Sequence, residues 1–168
     1  MARNATWFFV VVFLALLQTT WPDVLKFQNV LPNLTLIAVV YFAVADGQER
    51  AMYTATLGGI YQDVASNNVL GHHILCLVII AYAVGRFATR LVTEHPGVRV
   101  GLVFCAGMIE GLLYAIIVYI QNPNIGFTYT VATSVMPSAF YTALIAPIVF
   151  LVLQRIFKCP ELTPGGVT

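Results

Sequence analysis

Six long apolar stretches, separated by short connections that carry most of the charged residues, constrain this chain more than any other feature. A membrane-spanning helix needs about 20 mostly apolar residues. Of the 168 residues, 60% are hydrophobic and 9% are charged, whereas an average soluble domain has about 45–50% apolar and about 25% charged residues. So little polar surface cannot cover a water-soluble globule. The sequence therefore predicts an all-α, polytopic integral membrane protein with six transmembrane helices.

The predicted helices are bounded by charged residues, polar turns or prolines. Pro32 suits the first turn of the second helix, because its missing N–H would be unpaired there anyway. The polar runs at residues 66–68 and 121–124 indicate turns. Pro137 indicates a start or a break in the last helix, and Pro147 a kink. The six helices are expected at about Ala5–Thr20, Leu34–Ala45, Ala51–Ala65, Leu70–Leu91, Val100–Ile120 and Tyr129–Phe157.

The basic residues indicate the orientation of these helices. With the N-terminus inside, only Lys26 lies on the outer side, which fits the positive-inside rule for six helices with both termini in the cytoplasm. A secretory signal is an alternative for the N-terminal stretch, but no small-x-small cleavage site follows Leu17. We therefore predict one transmembrane domain over residues 1–158 and a short cytoplasmic tail over residues 159–168. The cytoplasmic basic residues would be Arg3, Arg50, Arg86, Arg90, Arg99, Arg155 and Lys158.

Several classes of function find no support in the sequence. A net charge of +1 gives no basic surface for nucleic acid, and three cysteines without a pairing pattern do not form a disulfide scaffold. His72, His73 and Cys76 are too few ligands for a metal site, and adjacent histidines on a helix point in different directions. Nucleotide-binding, metalloprotease and nucleophile-elbow motifs are absent from the sequence. We therefore expect no catalytic residues, no metal, no cofactor and no enzymatic activity.

Two carboxylates lie within predicted spans, where an ionisable side chain is costly. Thirteen residues separate Asp63 from Arg50, and eleven separate Glu110 from Arg99, which places them roughly 20 Å and 16 Å into the membrane at about 1.5 Å per residue. Both acids could meet at this depth. Because no Lys or Arg lies in a span at that level, each is expected to donate its proton to a carbonyl, a Tyr or a His. A polar contact that locks helices together is the favoured role, and a proton relay, a ligand site or a contact with a partner protein are the alternatives.

Small residues recur every four positions on two of the predicted helices. Such spacing places them on one face of each helix and allows the backbones of neighbouring helices to approach closely. This favours packing within the chain over a partner interface. The residues are Ala51, Ala55 and Gly59, followed by Asp63, on the third helix, and Gly107 and Gly111, on either side of Glu110, on the fifth.

Short motifs follow a characteristic order along nearly the whole chain. They are Trp21, Pro22 and Asp23 at the end of the first helix, Pro32 and Asn33 at the start of the second, the run from Leu57 to Asp63 at the end of the third, Leu70 and Gly71 before the fourth, and Pro147 in the last. With this order and this length, the chain resembles the rod shape-determining protein MreD family of the bacterial inner membrane.

The resemblance implies a non-catalytic scaffold of the cell-elongation machinery that supports peptidoglycan synthesis and rod shape. It implies direct binding to MreC, with RodA, the class B penicillin-binding protein, RodZ and MreB in the same complex, within the lipid of the inner membrane. A second class shares only the architecture: the substrate-binding membrane subunit of an energy-coupling-factor vitamin transporter. A closed, ligand-sized cavity lined by Glu110, Tyr114 and Asp63 would favour that alternative.

Overall fold

The computed structural model describes residues 2–19, 32–65, 71–88, 96–121, 128 and 131–157. These residues form six α-helices, as the sequence predicts, and one short π-helical segment, which we call the π-turn. The helices are α1 (Ala2–Thr19), α2 (Leu34–Ala45), α3 (Gln48–Ala65), α4 (His72–Ala88), α5 (Pro96–Gln121) and α6 (Met136–Phe157), and the π-turn (Val131–Val135) leads directly into α6.

Except for the second helix, the helix bounds differ from the predicted bounds by a few residues; α3, for example, begins at Gln48 and not at Ala51. The second helix has the predicted bounds, but Pro32 precedes it, and Asn33 is its N-cap residue. The fifth helix begins four residues before the predicted Val100, at Pro96, because proline is well tolerated in a first helical turn. Pro137 lies in the first turn of α6, directly after the π-turn, so it marks the start of the α-helical part and does not break the continuous helical stretch Val131–Phe157.

The central element of the bundle is α2. Its residues Leu34–Ala43 are all buried, and it packs against each of the other five helices. A helix that is apolar on every side is stable only when other helices or lipid surround it. The core therefore forms around α2, with Leu36, Ile37, Val39 and Phe42 fully enclosed.

The most extensive helix pair is α3 and α4, which run antiparallel in close contact. A Cβ atom built on Gly59 would lie 2.6 Å from the Cα atom of Ile74, and one built on Gly85 would lie 2.9 Å from the Cα atom of Gln48. Real Cβ atoms do not approach other atoms so closely. Glycine is therefore required at both ends of this pair to let the two backbones meet.

A tight turn joins α2 to α3. Asp46 forms the C-cap of α2, and its backbone N–H donates to the carbonyl oxygen of Phe42 at 2.9 Å. Gly47 follows with φ +93°, a conformation that side chains with a Cβ atom rarely adopt. Arg50 then pairs with the carboxylate of Asp46 at 3.0 Å. This geometry makes α2 and α3 an antiparallel hairpin.

The outer surface of the bundle is strongly apolar. On α6, Phe140, Leu144 and Ile148 recur every four residues, and each is more than 60% exposed. An apolar surface of this extent is typical of proteins that contact lipid. Two helical stretches, Gly97–Gln121 and Val131–Phe157, are long and apolar enough to cross a membrane, whereas Thr6–Gln18, Leu34–Ala45 and His72–Phe87 are shorter apolar helices.

Candidate functional site

Polar side chains from all six helices meet where α1 and α3 end and α2 and α4 begin. They are joined by hydrogen bonds between residues that are far apart in the sequence. An apolar helical bundle would gain nothing from burying them unless they satisfied one another. We call this set the polar cluster; it consists of Gln18, Asn33, Thr35, Gln62, Asp63, His73, Glu110 and Thr142.

Asn33 is the centre of the polar cluster and is only 8% exposed. Its side-chain amide donates to Oε1 of Glu110 at 2.8 Å, and its backbone N–H donates to Oγ1 of Thr142 at 3.0 Å. Its side-chain oxygen accepts from the backbone N–H of Leu36 at 3.0 Å and from Nε2 of Gln62 at 2.8 Å. One residue thus caps α2 and ties it to α3, α5 and α6.

Gln18 connects α1 to the same cluster. Its side-chain oxygen accepts hydrogen bonds from the backbone N–H of Thr35 at 3.2 Å and from the hydroxyl of Thr35 at 3.0 Å. The side-chain amide of Gln62 also reaches this oxygen, at 3.4 Å. Near its other end, α1 is fixed by the indole N–H of Trp7, which donates to Oγ1 of Thr54 on α3 at 3.0 Å. The first helix is therefore attached to the bundle by polar contacts as well as by packing.

Asp63 caps α4 from a neighbouring helix and is 1% exposed. Its Oδ2 accepts from the backbone N–H of Gly71 at 2.8 Å, and its Oδ1 accepts from the backbone N–H of His73 at 2.9 Å. The N–H groups of a first helical turn have no partners within the helix, and the positive end of the helix dipole favours a carboxylate there. Asp63 thus supplies both the acceptors and the charge that the start of α4 requires.

Glu110 faces two partners across the bundle. Its Oε1 accepts from Asn33 and lies 3.9 Å from Nδ1 of His73. The imidazole of His73 stacks on the ring of Tyr114, with the centroids 4.8 Å apart and an interplanar angle of 17°. Through Asn33, this carboxylate lies beside the N-terminus of α2, so Asp63 and Glu110 each lie beside the start of a neighbouring helix.

The sequence-based expectation that each acid donates its proton fails at Asp63, because both of its oxygens accept hydrogen bonds from backbone N–H groups. The sequence also suggests that the two acids could meet, and in the structure one residue lies between them. His73 lies between them, since its backbone N–H donates to Asp63 while its imidazole faces Glu110. The two carboxylates are therefore connected through one residue of α4.

A pocket of about 300 Å³ opens on the polar cluster. Most of its polar lining is formed by Gln18, Asn33, Gln62, His73, Glu110 and Tyr114, and the rest of the lining comes from two small residues of α5, from the π-turn and from the start of α6. The volume is at the low end of the range for small-molecule pockets. Asp63 is not among the described residues that line it, because its oxygens face the backbone of α4.

The small residues named from the sequence lie at helix contacts. Ala51, Ala55 and Gly59 are buried on α3, in line with Asp63. On α5, a Cβ atom on Gly107 would lie 3.3 Å from Ala139, and one on Gly111 would overlap the side chain of Val135. The two α5 glycines therefore face α6 and the π-turn.

Some of the residues that form the sequence motifs lie within the described part of the structure, and others lie outside it. Pro32 and Asn33 are buried at the start of α2, Gly71 adopts φ +112° before α4, and Pro147 lies within α6. Trp21, Pro22, Asp23 and Leu70 lie outside the described residues, as does the predicted tail at 159–168.

The three side chains considered for a metal have different surroundings. Nε2 of His72 lies 2.8 Å from the side-chain amide of Gln121, His73 stacks on Tyr114, and Cys76 is fully buried. Across the described ranges, no three His, Cys, Asp or Glu side chains are grouped in a way that could hold a metal ion.

Sequence reasoning named Asp63 and Glu110 but missed most of their companions. Gln18 and Gln62 stand near predicted helix ends, where polar residues are ordinary. Asn33 is the exception, because an Asn directly before an apolar run is typical of a helix N-cap. That rule predicts where α2 begins, but it does not predict that other polar side chains meet there.

In a comparison with protein families, the chain matches the family described as rod shape-determining protein MreD over residues 1–158. The chain belongs to the MreD family. Members of this family are non-catalytic membrane proteins that determine rod shape. No curated protein and no solved structure matches the chain. Membership in the MreD family replaces the alternative of a vitamin-transporter subunit, which rested on architecture alone.

Proposed function

We propose that this chain is a scaffold of the cell-elongation machinery in the bacterial inner membrane, where it binds MreC. In this proposal RodA, the class B penicillin-binding protein, RodZ and MreB belong to the same complex, and the chain supports peptidoglycan synthesis without catalysis of its own. The proposal builds on the MreD family's role in rod shape. The observation that carries it is the polar cluster, which joins all six helices into one unit.

We further propose that all six helices cross the membrane with both termini in the cytoplasm. The seven-to-one distribution of basic residues supports this orientation. At 12 residues, α2 is only about 18 Å long, less than the hydrocarbon core of about 30 Å. Its start at Asn33 is level with Glu110 on α5, so the polar cluster would lie within the outer half of the membrane. Enclosure of α2 by five helices makes this short span tolerable, because its ends contact protein and not lipid.

The outward groove between α4 and α5 is the surface that we propose for the membrane helix of MreC. Apolar side chains such as Ile79, Phe87 and Ile109 line it, and its volume is about 320 Å³. Two small residues of α5, Gly101 and the exposed Cys105, also line the groove. A Cβ atom added to Gly101 would meet nothing within 4 Å, so the groove is open there. Small residues four positions apart on an exposed helix face favour close approach of another helix.

Cys105 permits a direct test of this docking surface. A single cysteine is placed at successive positions of the MreC membrane helix, in cells whose copy of this chain retains Cys105 and carries Cys76→Ala and Cys159→Ala. Oxidative cross-linking is expected at MreC positions three to four residues apart, which is the period of one helix face. The matched control moves the cysteine to the outward face of α6 (Cys105→Ser with Leu144→Cys) and should cross-link weakly or not at all.

Equal cross-linking from Cys105 and from position 144 would contradict the proposed surface, because it would indicate random collision in the membrane. Cross-linking from position 144 alone would place MreC on α6. In either case, co-purification of MreC with the unmodified chain measures the scaffold function separately from the docking surface.

A further inference from the structure

The pocket at the polar cluster has the composition of a binding site. In a chain of which 60% is hydrophobic, its polar wall brings together three side-chain amides, an imidazole, a phenol and a carboxylate. Helix packing alone does not require an opening of about 300 Å³ beside these groups. A few convergent polar groups in a concave site of this size are typical of small-ligand recognition.

The charge of the pocket selects the class of ligand. Glu110 is a carboxylate with a 12% exposed side chain, and no lysine or arginine is among the described residues that line the pocket. The cationic candidate in the described lining is His73, whose buried Nδ1 has no hydrogen-bond partner among the described residues and lies 3.9 Å from Oε1 of Glu110. An anionic ligand would be repelled by Glu110, whereas a cation that carries N–H donors would find an acceptor there.

The aromatic wall favours the same class. The rings of His73 and Tyr114 stack on each other and both border the pocket, and Nδ1 of His73 lies 3.9 Å from Oε1 of Glu110. The face of a tyrosine ring attracts a cation, and the attraction is stronger when the cation is out of bulk water. A carboxylate beside an aromatic face is therefore a suitable site for an organic ammonium group.

Part of the pocket lining comes from an irregular helical segment. Ser134 and Val135 belong to the π-turn, and Ser138 follows in the first turn of α6. Short π-helical segments occur frequently at functional sites, because they displace side chains from regular helical positions. Here the π-turn brings the hydroxyl-bearing Ser134 to the border of the pocket while Val135 packs against Gly111.

We propose that this pocket binds a primary ammonium group, carried either by a small soluble amine or by the ethanolamine headgroup of a membrane lipid. Glu110 accepts from the ammonium and the ring of Tyr114 covers it. Asn33 and Gln18 border the ligand with their amides. The small volume limits the bound part to a headgroup-sized fragment. This inference concerns the isolated chain and does not depend on MreC.

Thermal unfolding of the full chain in lipid nanodiscs tests the inference. In discs of phosphatidylglycerol alone, ethanolamine at saturating concentration should raise the apparent Tm by at least about 2 °C, because it binds the folded state only. Choline, which has no N–H donor, and N-acetylethanolamine, which has no charge, should raise it less at equal ionic strength. Discs that contain phosphatidylethanolamine should give a similar rise without any added amine.

The comparison of added ethanolamine with phosphatidylethanolamine in the discs identifies the source of the ammonium group. A rise with lipid alone assigns the site to the headgroup, and a rise with soluble ethanolamine alone assigns it to a free amine. Either result supports the site, provided that Glu110→Gln abolishes the rise in apparent Tm. The control Glu49→Gln changes an acid outside the pocket and should retain the rise. Ser134→Leu, which narrows the pocket and leaves Glu110 in place, should also abolish it. Equal shifts in wild type, Glu110→Gln and Ser134→Leu, or no shift in either arm, would overturn the proposal.

Discussion

The side-chain amide of Asn33 donates to Oε1 of Glu110 at 2.8 Å and thereby joins the start of α2 to the middle of α5 across 77 residues of sequence. The same side chain caps α2 through its oxygen. A single residue therefore determines where the central helix begins and which neighbour its start faces. Because α2 packs against every other helix, the position of the Asn33 side chain affects the whole bundle.

Asn33→Ala is expected to lower the free energy of unfolding by about 2–4 kcal/mol, because it removes an N-cap, the amide that donates to Glu110 and the oxygen that accepts from Gln62. Thermal unfolding of purified protein and its steady-state amount in membranes measure the effect. Asn33→Asp separates the two contributions, since it keeps the cap but sets a second carboxylate against Glu110. If Asn33→Ala melts at the wild-type temperature, the central role of this residue is wrong.

Asp63→Ala should loosen the start of α4 more than any other part of the chain. The first-turn N–H groups of Gly71 and His73 lose their acceptors, which costs about 1–2 kcal/mol for a lost N-cap. Hydrogen exchange should therefore accelerate at the start of α4 and remain unchanged along α5. Glu49→Ala, a change at an exposed acid in the first turn of α3, serves as the control. Uniform acceleration in all six helices would indicate general destabilisation and contradict the capping role.

The helices were predictable from the sequence because their causes are local. Long apolar stretches require burial or lipid, and polar turns interrupt them; the bounds of α2 follow from Asn33 before it and Asp46 after it. The polar cluster was not predictable in the same way. Gln18 and Gln62 are 44 residues apart, and their contact depends on how α1 and α3 lie beside α2. Asp63 was recognised as unusual, but its partners are backbone groups, which no side-chain pattern reveals.

Gly59→Ala tests the close approach of α3 and α4. The added Cβ atom would lie 2.6 Å from the Cα atom of Ile74, which belongs to the backbone and cannot rotate away. Overpacking of this kind costs about 1–3 kcal/mol, so the apparent Tm should fall. Gly101→Ala is the matched control, because nothing lies within 4 Å of its Cβ atom and alanine gains up to about 1 kcal/mol of helix propensity. A Gly59→Ala protein as stable as Gly101→Ala would show that the two helices can separate freely.

The proposed topology predicts opposite labelling of two exposed helix ends. In a background without native cysteines, Gln121→Cys at the end of α5 should react with a membrane-impermeant maleimide applied to spheroplasts. Glu49→Cys at the start of α3 should react only after the membrane is opened. Reaction of both positions from outside, or of Glu49→Cys alone, would contradict six spans with cytoplasmic termini.

The most direct test of the central claim, that this chain is a scaffold of the cell-elongation machinery, is purification of the tagged protein from its own membranes into nanodiscs, followed by mass spectrometry of the bound proteins. MreC should be recovered together with wall synthases. MreC should be lost when Gly101→Trp fills the groove between α4 and α5, and it should be retained in the control Leu144→Trp on α6. Recovery of an ATPase pair in place of MreC and the synthases would contradict the scaffold role.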